Sequence, residues 1–428
     1  MKLFFRPPVL LFALTAVAAA ALGQESPLSV PPGGLPVLND SVAVRTLHAS
    51  GAVAALAPSA APELALFSYS ILSNRDKSVK TGIMVGRTPF ARGLRSTAVP
   101  VVIIPLILNF NFGGTPGAIG TPTGTYTSDP TLADAGCLGT GRSALSVTQA
   151  SPLFSPAPFT VNGVNVGTTT YIDAFQRAEF WSVIGAAGNA YHLDLTSQLS
   201  TMPPQVVNLT ASSSSPTNVN VRFYTGVCGT PSRTNDAGAL GVVNINTMDP
   251  ILRGLIATLG IAPTQFPFFV VYNTVMSLGD ALTSGCCVLG YHDAYNETGS
   301  QTPGPGQTYG IGEFDGQKLF ANSADVATLS HELGEWANDP GTLNLIAPWG
   351  GEGQVGTNSC QGALEVGDPL SAILFAPSFP LNGFPYHLQE LAFFSWFIGS
   401  PSLGAGGKYS NAGTFSGFAK ACPPGGTN

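Results

Sequence analysis

Charged residues are scarce in this sequence, and so are the patterns that depend on them. Asp, Glu, Lys and Arg make up only 10% of the 428 residues, against 44% for hydrophobic types, and no run of like charges occurs. Disordered chains carry more charge and less apolar material, and coiled coils need far more Glu and Lys, so both classes are excluded. With 17 basic against 24 acidic residues, the chain lacks a basic face to neutralise phosphates, and we expect no nucleic-acid partner.

Long apolar runs are also rare. Residues 9–21 form such an apolar run, which follows two basic residues and precedes several small ones. This pattern is typical of a secretory signal peptide and predicts one over residues 1–23. The alternative is a retained membrane anchor, for which the run is short. A second run, at residues 99–108, is interrupted by two prolines, which favours a buried strand. The expected location is therefore secreted or periplasmic, with no membrane association after cleavage.

No Cys-x-x-Cys spacing occurs, which argues against a cysteine-rich metal site. The six cysteines are an even number and allow up to three disulfides in an exported chain. Cys360 and Cys422 bracket the C-terminal segment, and we predict that they are bonded to each other. Cys286 and Cys287 are adjacent, so in a strand their side chains would point to opposite faces and take different partners.

Glycine and proline divide the chain into short segments. Residues 24–60 are rich in Pro, Gly, Ala and Ser and are predicted to form a flexible leader or linker. Residues 113–168 contain too much Gly and Pro for a finer prediction. Periodicity and turn signals predict a hairpin of residues 66–72 and 78–85, further strands at 99–109, 205–209, 219–224, 240–245, 268–272, 287–292 and 309–314, and helices at 170–183 and 251–259. Strands interleaved with helices predict a mixed sheet of the α/β (α+β) class.

The most informative segment is residues 323–340, which reads as a helix. Ser323 is a suitable N-cap, and Pro340 ends the helix. At about 100° per residue, one face carries an apolar stripe of Val326, Leu329, Leu333, Trp336 and Ala337. The opposite face carries His331, Glu332 and Glu335.

These three polar residues have the types and spacing of a metal site. His331 and Glu335 lie one turn apart, which lets an imidazole nitrogen and a carboxylate oxygen bind one cation at about 2.0 to 2.2 Å each. Glu332 points off that line, where a general base could take a proton from metal-bound water. The alternative is the solvated face of a structural helix. Such faces usually include Lys or Arg, and residues 323–340 contain neither, which favours the metal site.

The segment His331-Glu332-Leu333-Gly334-Glu335 resembles the His-Glu-x-x-His helix of the zincin metallopeptidases, with Glu335 in place of the second His. The longer phrase HELGEWANDP, followed by EVGD at residues 365–368, is similar to a group of exported microbial proteins, mostly peptidases of undefined specificity. The resemblance implies a zincin-like mixed sheet with an active-site helix over residues 61–428. Within it we expect a β-rich part (61–165), a metal-site core (about 236–368) and a loop-rich C-terminal subdomain (369–428).

The same resemblance implies the remaining site residues. In the gluzincin branch a downstream Glu is the third ligand and a nearby Asp orients the helix His, which assigns Glu365 as ligand and Asp368 as the orienting residue. The reverse assignment stays open, and so does His387 as third ligand. A Tyr or His usually stabilises the oxyanion, which makes His387 and Tyr409 candidates. A substrate peptide adds to an edge strand that precedes the helix, here residues 309–314.

The predicted function is a secreted zinc-dependent peptidase that acts on peptides or proteins, with one Zn²⁺ and with Glu332 as the base. The alternative is an exported surface or binding protein that keeps a zincin-like fold and the metal but lacks turnover. A glycosidase ranks last, because Glu332 and Glu335 on adjacent turns are poorly placed around a sugar bond. His192 and His292 lie in β-like runs and are interpreted as core or surface histidines.

Overall fold

The computed structural model describes residues 28–29, 64–111, 125–133, 141–185, 190–212, 217–225, 238–281, 285–295, 306–320, 323–350, 360–371 and 377–422. These residues form a mixed fold with more strand than helix, which confirms the α+β class. The predicted signal peptide lies outside the described residues, as does the predicted leader apart from Leu28–Ser29. The predicted domain boundaries stay predictions.

The described chain contains many short strands and a few helices. The strands are β1 (Leu28–Ser29), β2 (Leu66–Leu72), β3 (Val79–Val85), β4 (Thr97–Ala98), β5 (Val101–Asn111), β6 (Thr125–Ser128), β7 (Ala157–Val161), β8 (Val164–Thr169), β9 (Leu193–Asp194), β10 (Ser200–Thr201), β11 (Gln205–Thr210), β12 (Val219–Thr225), β13 (Ala239–Asn244), β14 (Phe266–Tyr272), β15 (Thr274–Ser277), β16 (Cys286–Val288), β17 (Gly290–Tyr295), β18 (Gln307–Phe314), β19 (Leu345–Gly350), β20 (Cys360–Ala363), β21 (Ser378–Leu381) and β22 (Phe384–His387). The helices are α1 (Ala144–Ala150), α2 (Tyr171–Glu179), α3 (Trp181–Ile184), α4 (Ile245–Leu259), α5 (Ala327–Asn338), α6 (Asp368–Ser371) and α7 (Phe394–Ile398), with a 3-10 turn at Ala405–Gly407.

A seven-stranded sheet lies at the centre of the fold. Its order is β10-β5-β14-β18-β17, and β11 and β6 pair with the far end of β5. β5, β14 and β18 are parallel, whereas β17 is antiparallel to β18. Because both faces of the sheet are covered, β5 and β14 are almost continuous apolar runs instead of alternating ones. A second sheet has the order β1-β12-β13-β15-β16, and five two-stranded pairs complete the strands.

Each face of the central sheet has its own apolar cluster. Leu329 and Leu333 of α5 pack with Phe314 of β18 on one face. Met248 of α4 lies in the cluster on the other face together with Tyr309, also from β18. Successive residues of β18 therefore alternate between the two faces, and α5 lies directly on the sheet.

Several predicted elements are confirmed, and two helices differ in their bounds. The hairpin β2–β3 forms with direct pairing. Residues 113–169, whose Gly and Pro content allows no finer prediction, contain β6, α1, β7 and β8. The helix predicted at 170–183 is divided into α2 and α3. The helix predicted to start at 251 begins at Ile245 instead, because Asn244 caps it by accepting a hydrogen bond from the amide of Asn246 at 2.8 Å. Pro250 consequently lies inside α4.

The disulfides confirm one cysteine prediction and contradict another. Cys360 and Cys422 are bonded to each other, as predicted. Cys286 and Cys287 are also bonded to each other, so the prediction of different partners is wrong. Disulfides fit an extracytoplasmic compartment.

Among the described helices, none has the length and apolar character that crossing a membrane requires.

Candidate metal centre

Helix α5 begins later than predicted. Ser323 was expected to be the cap, but the helix starts after Val326. Asp325 has a left-handed backbone with a φ of 40°, and one of its carboxylate oxygens accepts hydrogen bonds from the amides of Val326 at 2.7 Å and His387 at 2.8 Å. The bend at Asp325 therefore sets the start of the helix.

Both faces of α5 are buried. The predicted apolar stripe is fully buried, and on the opposite face Glu332 and Glu335 are only 2% and 0% exposed. The alternative of a solvated helix face is therefore wrong. The side chain of His331 keeps 11% of its surface accessible, so this end of the polar face communicates with solvent.

His331, Glu335 and Asp368 form a group that we call the outer triad. The Nε2 of His331 lies 3.0 Å from Oε2 of Glu335 and 3.7 Å from Oδ1 of Asp368. The three ligand atoms lie within 4.8 Å of one another. A tetrahedral zinc ion at about 2.1 Å from each ligand holds the ligand atoms about 3.4 Å apart. The two distances lie on either side of that value, so the outer triad is able to hold such an ion after small side-chain movements.

The two carboxylates of the outer triad are each held by a second contact. Oε1 of Glu335 accepts hydrogen bonds from the backbone amides of Gly367 at 3.0 Å and Asp368 at 3.2 Å. Oδ2 of Asp368 accepts one from the side-chain amide of Gln361. In each carboxylate one oxygen is thus anchored by the protein, and the other is directed at His331. Anchoring of this kind orients metal ligands.

A second group, the inner triad, consists of His292, Glu332 and Glu335. Nδ1 of His292 lies 3.7 Å from Oε2 of Glu332 and 3.9 Å from Oε2 of Glu335. All three side chains are at most 2% exposed, and this buried group is also able to hold a metal ion. The interpretation of His292 as an ordinary core or surface histidine missed this position. Its only local signal is a histidine in a buried strand, since the contacts come from residues about 40 positions later in the chain.

Two glycines let these groups come together. A Cβ atom on Gly367 would lie 2.4 Å from Nδ1 of His331, and one on Gly290 would lie 2.5 Å from Oε1 of Glu332. Neither contact is sterically possible for another residue without moving the site. Strand β17 and the turn before α6 can therefore approach α5 only because these positions lack side chains.

The centre is rich in negative charge. Glu365 lies beside the inner triad, with its Oε2 3.9 Å from Nε2 of His292. The segments that build the centre, residues 285–295, 323–340 and 360–371, contain no Lys or Arg. Four buried carboxylates therefore share the space with two imidazoles, an arrangement that is costly unless protons or metal cations compensate it.

The structure separates the candidates for the third ligand. Asp368 lies in the outer triad, whereas Glu365 lies against His292. The roles assigned to these two residues stay predictions. The geometry favours Asp368 as the third ligand, the choice that the sequence left open, and it places Glu365 beside His292 instead of the helix histidine His331. His387 is bound through Nδ1 to Asp325 at 2.5 Å, before the start of α5. Tyr409 donates its hydroxyl to the carbonyl of Ser400 at 3.1 Å.

The edge-strand prediction is wrong. Residues 309–314 belong to β18, which lies between β14 and β17 and is therefore an inner strand. The chain returns antiparallel through β17, which pairs with β18 and takes the last place in the described order. The strand that precedes α5 in the chain thus is not the outermost strand of the sheet.

Asp339 closes the C-terminal end of α5. Its carboxylate accepts hydrogen bonds from the amides of Leu343 at 2.9 Å and Asn344 at 3.0 Å, and burial raises its pKa to about 7. Its backbone carbonyl accepts a hydrogen bond from Nε2 of His292 at 2.9 Å. The end of the helix consequently fixes the orientation of that imidazole.

Comparison with known proteins adds no relative: no protein-family model, curated protein or solved structure matches this chain.

Proposed function

We propose that this protein is an exported, zinc-dependent peptidase that hydrolyses peptide bonds at the outer triad. Ligand spacing combined with access supports this choice of site. The donor distances of 3.0 and 3.7 Å suit a zinc ion, and the side chain of His331 is 11% exposed, whereas the inner side chains are at most 2% exposed. A substrate carbonyl needs such an opening.

One imidazole and two carboxylates match the donor types that zinc accepts. Bound there, zinc would polarise a substrate carbonyl and lower the pKa of a water molecule. In this proposal Glu332 accepts the proton of that water. A carboxylate oxygen of Glu332 lies within 4.8 Å of one of Glu335, a gap that a single water molecule can span. We assign no oxyanion donor, because His387 is bound to Asp325 and Tyr409 to a backbone carbonyl.

Export is supported by two independent features. The N-terminal pattern is typical of a signal peptide, and the Cys360–Cys422 disulfide fits an oxidising compartment.

The second candidate is an exported surface or binding protein that holds the metal without turnover. The burial of Glu332, at 2% exposure, favours this candidate, because a base has to meet water that reaches the substrate. The two candidates agree on the metal and differ on cleavage.

Metal content and hydrolysis, measured on the same samples, test the proposal. Zinc would be determined by elemental analysis, and cleavage with casein and a peptide library, for the wild type, Glu332→Gln and a control, Glu179→Gln. The control changes another buried glutamate, 1% exposed and outside both triads. Glu332→Gln should lower hydrolysis about 10²–10⁴-fold and keep zinc at the outer triad, while the control behaves as the wild type. Bound zinc without cleavage at any zinc loading would support the binding protein, and absence of zinc would refute both candidates.

A further inference from the structure

The inner triad has the geometry of a second cation site. Its donor distances, 3.7 and 3.9 Å from Nδ1 of His292, exceed the tetrahedral separation of about 3.4 Å by only a few tenths of an ångström. The three residues come from α5 and β17, two elements that pack against each other. A cation here would be enclosed by protein, because each of the three side chains is at most 2% exposed.

The orientation of His292 fits a metal ligand. A carbonyl oxygen can only accept, so the 2.9 Å contact with Asp339 requires that Nε2 of His292 carries the hydrogen. In the neutral imidazole this leaves the lone pair on Nδ1, the atom directed at Glu332 and Glu335. Histidines that bind metals commonly donate their other nitrogen to a carbonyl or carboxylate in this way.

Glu335 connects the two triads through a single oxygen. Its Oε1 is held by two backbone amides, and its Oε2 lies 3.0 Å from Nε2 of His331 and 3.9 Å from Nδ1 of His292. The triads are two separate groups with this one residue in common. A carboxylate in that position can bridge two cations about 3.5–4 Å apart.

The charge of the centre favours two cations over one. Glu332, Glu335, Glu365 and Asp368 carry −4 when ionised, and neutral imidazoles add nothing. One divalent cation would leave −2 in a buried space, whereas two would bring the sum to zero. Uncompensated buried charge is costly, and the segments that build the centre supply no Lys or Arg.

We propose that His292, Glu332 and Glu335 bind a second divalent cation, with Glu335 shared between the inner and the outer triad. Occupation of the inner triad engages the Glu332 carboxylate, which then no longer accepts a proton from water. The cation in the inner triad thus inhibits the hydrolysis that one cation in the outer triad supports. The inhibition rests on the proposed peptidase function, but the binding itself does not.

Zinc binding to the metal-depleted full chain tests the proposal. The chain would be equilibrated with Zn²⁺ by dialysis and its zinc content measured. The wild type should bind two equivalents and His292→Ala one. His192→Ala, which changes a partly exposed histidine outside both triads, should bind two. Glu332→Gln, which keeps the size of the side chain, should also bind one and serves if His292→Ala fails to fold.

A second readout concerns the bridge. Loaded with Mn²⁺, the wild type should show the electron paramagnetic resonance signal of an exchange-coupled pair, since the two cations would lie about 3.5–4 Å apart. His292→Ala should show isolated Mn²⁺. Saturation of the wild type at one equivalent, or two equivalents in both His292→Ala and Glu332→Gln, would overturn the proposal.

Activity during the zinc titration separates this proposal from the peptidase function. Hydrolysis by the wild type should rise with the first equivalent and fall as the second binds, and the fall should be missing in His292→Ala. Two bound equivalents without hydrolysis at any loading would leave the inner site standing and refute the peptidase. If the wild type bound only one equivalent of zinc at saturation and still hydrolysed the substrate, the inner site would be refuted and the peptidase function supported.

Discussion

The histidines of the described residues are of two kinds. His192 and His387 each have Nδ1 close to one aspartate oxygen, at 2.7 and 2.5 Å respectively. His331 and His292 instead lie at 3.0 to 3.9 Å from two or more carboxylates each. The same chemical groups are thus arranged once as hydrogen-bonded pairs and once as clusters.

The difference shows what distinguishes an ion pair from a metal site. In a pair, one imidazole faces one carboxylate, and the two approach to hydrogen-bond distance. In the clusters, four carboxylates outnumber two imidazoles, so full protonation of both rings still leaves −2. Wider donor separations, close to the roughly 3.4 Å of a tetrahedral ion, accompany that excess. Three experiments sharpen or break this comparison, from the largest effect to the smallest.

Removal of zinc should separate the two kinds of histidine most strongly. Binding at 1,000 times Kd stabilises a folded protein by about 4 kcal/mol, so a chelator should lower the unfolding free energy of the wild type by about that amount and abolish hydrolysis. Urea denaturation with and without chelator measures the difference. His192→Ala should keep all of the chelator-sensitive unfolding free energy, and His331→Ala should lose the share that the outer triad contributes. Equal chelator sensitivity in the two variants would contradict the distinction between pairs and clusters.

Glu179 extends the comparison to a buried carboxyl whose described contact is a backbone amide, that of Phe394. Burial raises its pKa from 4.5 to about 8. The folded state then keeps a proton that the unfolded state releases, so its contribution to stability is full below about pH 4.5 and is lost as the pH rises through about 8. Relative to Glu179→Gln, the unfolding free energy of the wild type should fall by about 3 kcal/mol across this pH range. This is less than the full pKa shift would give, because water partly solvates buried charges.

Urea denaturation of both proteins between pH 4 and about 9 measures this loss. A difference between the two proteins that stays constant with pH would show that folding does not raise the pKa of Glu179.

Substitution of Gly367 tests whether zinc binding requires the close approach of residue 367 to the ring of His331. In Gly367→Ala the new Cβ would lie 2.4 Å from Nδ1 of His331, so the ring has to move, and we expect zinc affinity to fall about 10–100-fold. Gly254→Ala is the matched control, because its Cβ meets no atom within 4 Å on helix α4. The control should leave zinc affinity unchanged and raise stability by about 0.5–1 kcal/mol. Competition with a zinc-sensitive dye measures the affinities, and unchanged binding by Gly367→Ala would place the cation away from His331.

Local pattern predicted most of the secondary structure near the site. The apolar stripe from Val326 to Ala337 is buried on one face of α5, and the hairpin β2–β3 forms as the turn signal indicated. Some predictions failed because a distant contact decides the outcome. The start of α5 depends on Asp325, whose carboxylate binds the amide of His387, 62 residues away in the chain. Within residues 113–168, whose Gly and Pro content allowed no finer prediction, the strand β6 pairs with β5.

The features of the site also divide into those that the local sequence predicts and those that tertiary contacts decide. Helical periodicity placed His331, Glu332 and Glu335 on one face, because residues three and four apart on a helix are neighbours. By itself, the sequence thus determined the polar face of α5, its lack of basic residues and the Cys360–Cys422 pair. Only the tertiary structure decided that Asp368 reaches His331 while Glu365 turns to His292, and that β17 adds a second imidazole. Those contacts form between segments that fold against α5 from elsewhere in the chain, and no local periodicity encodes them.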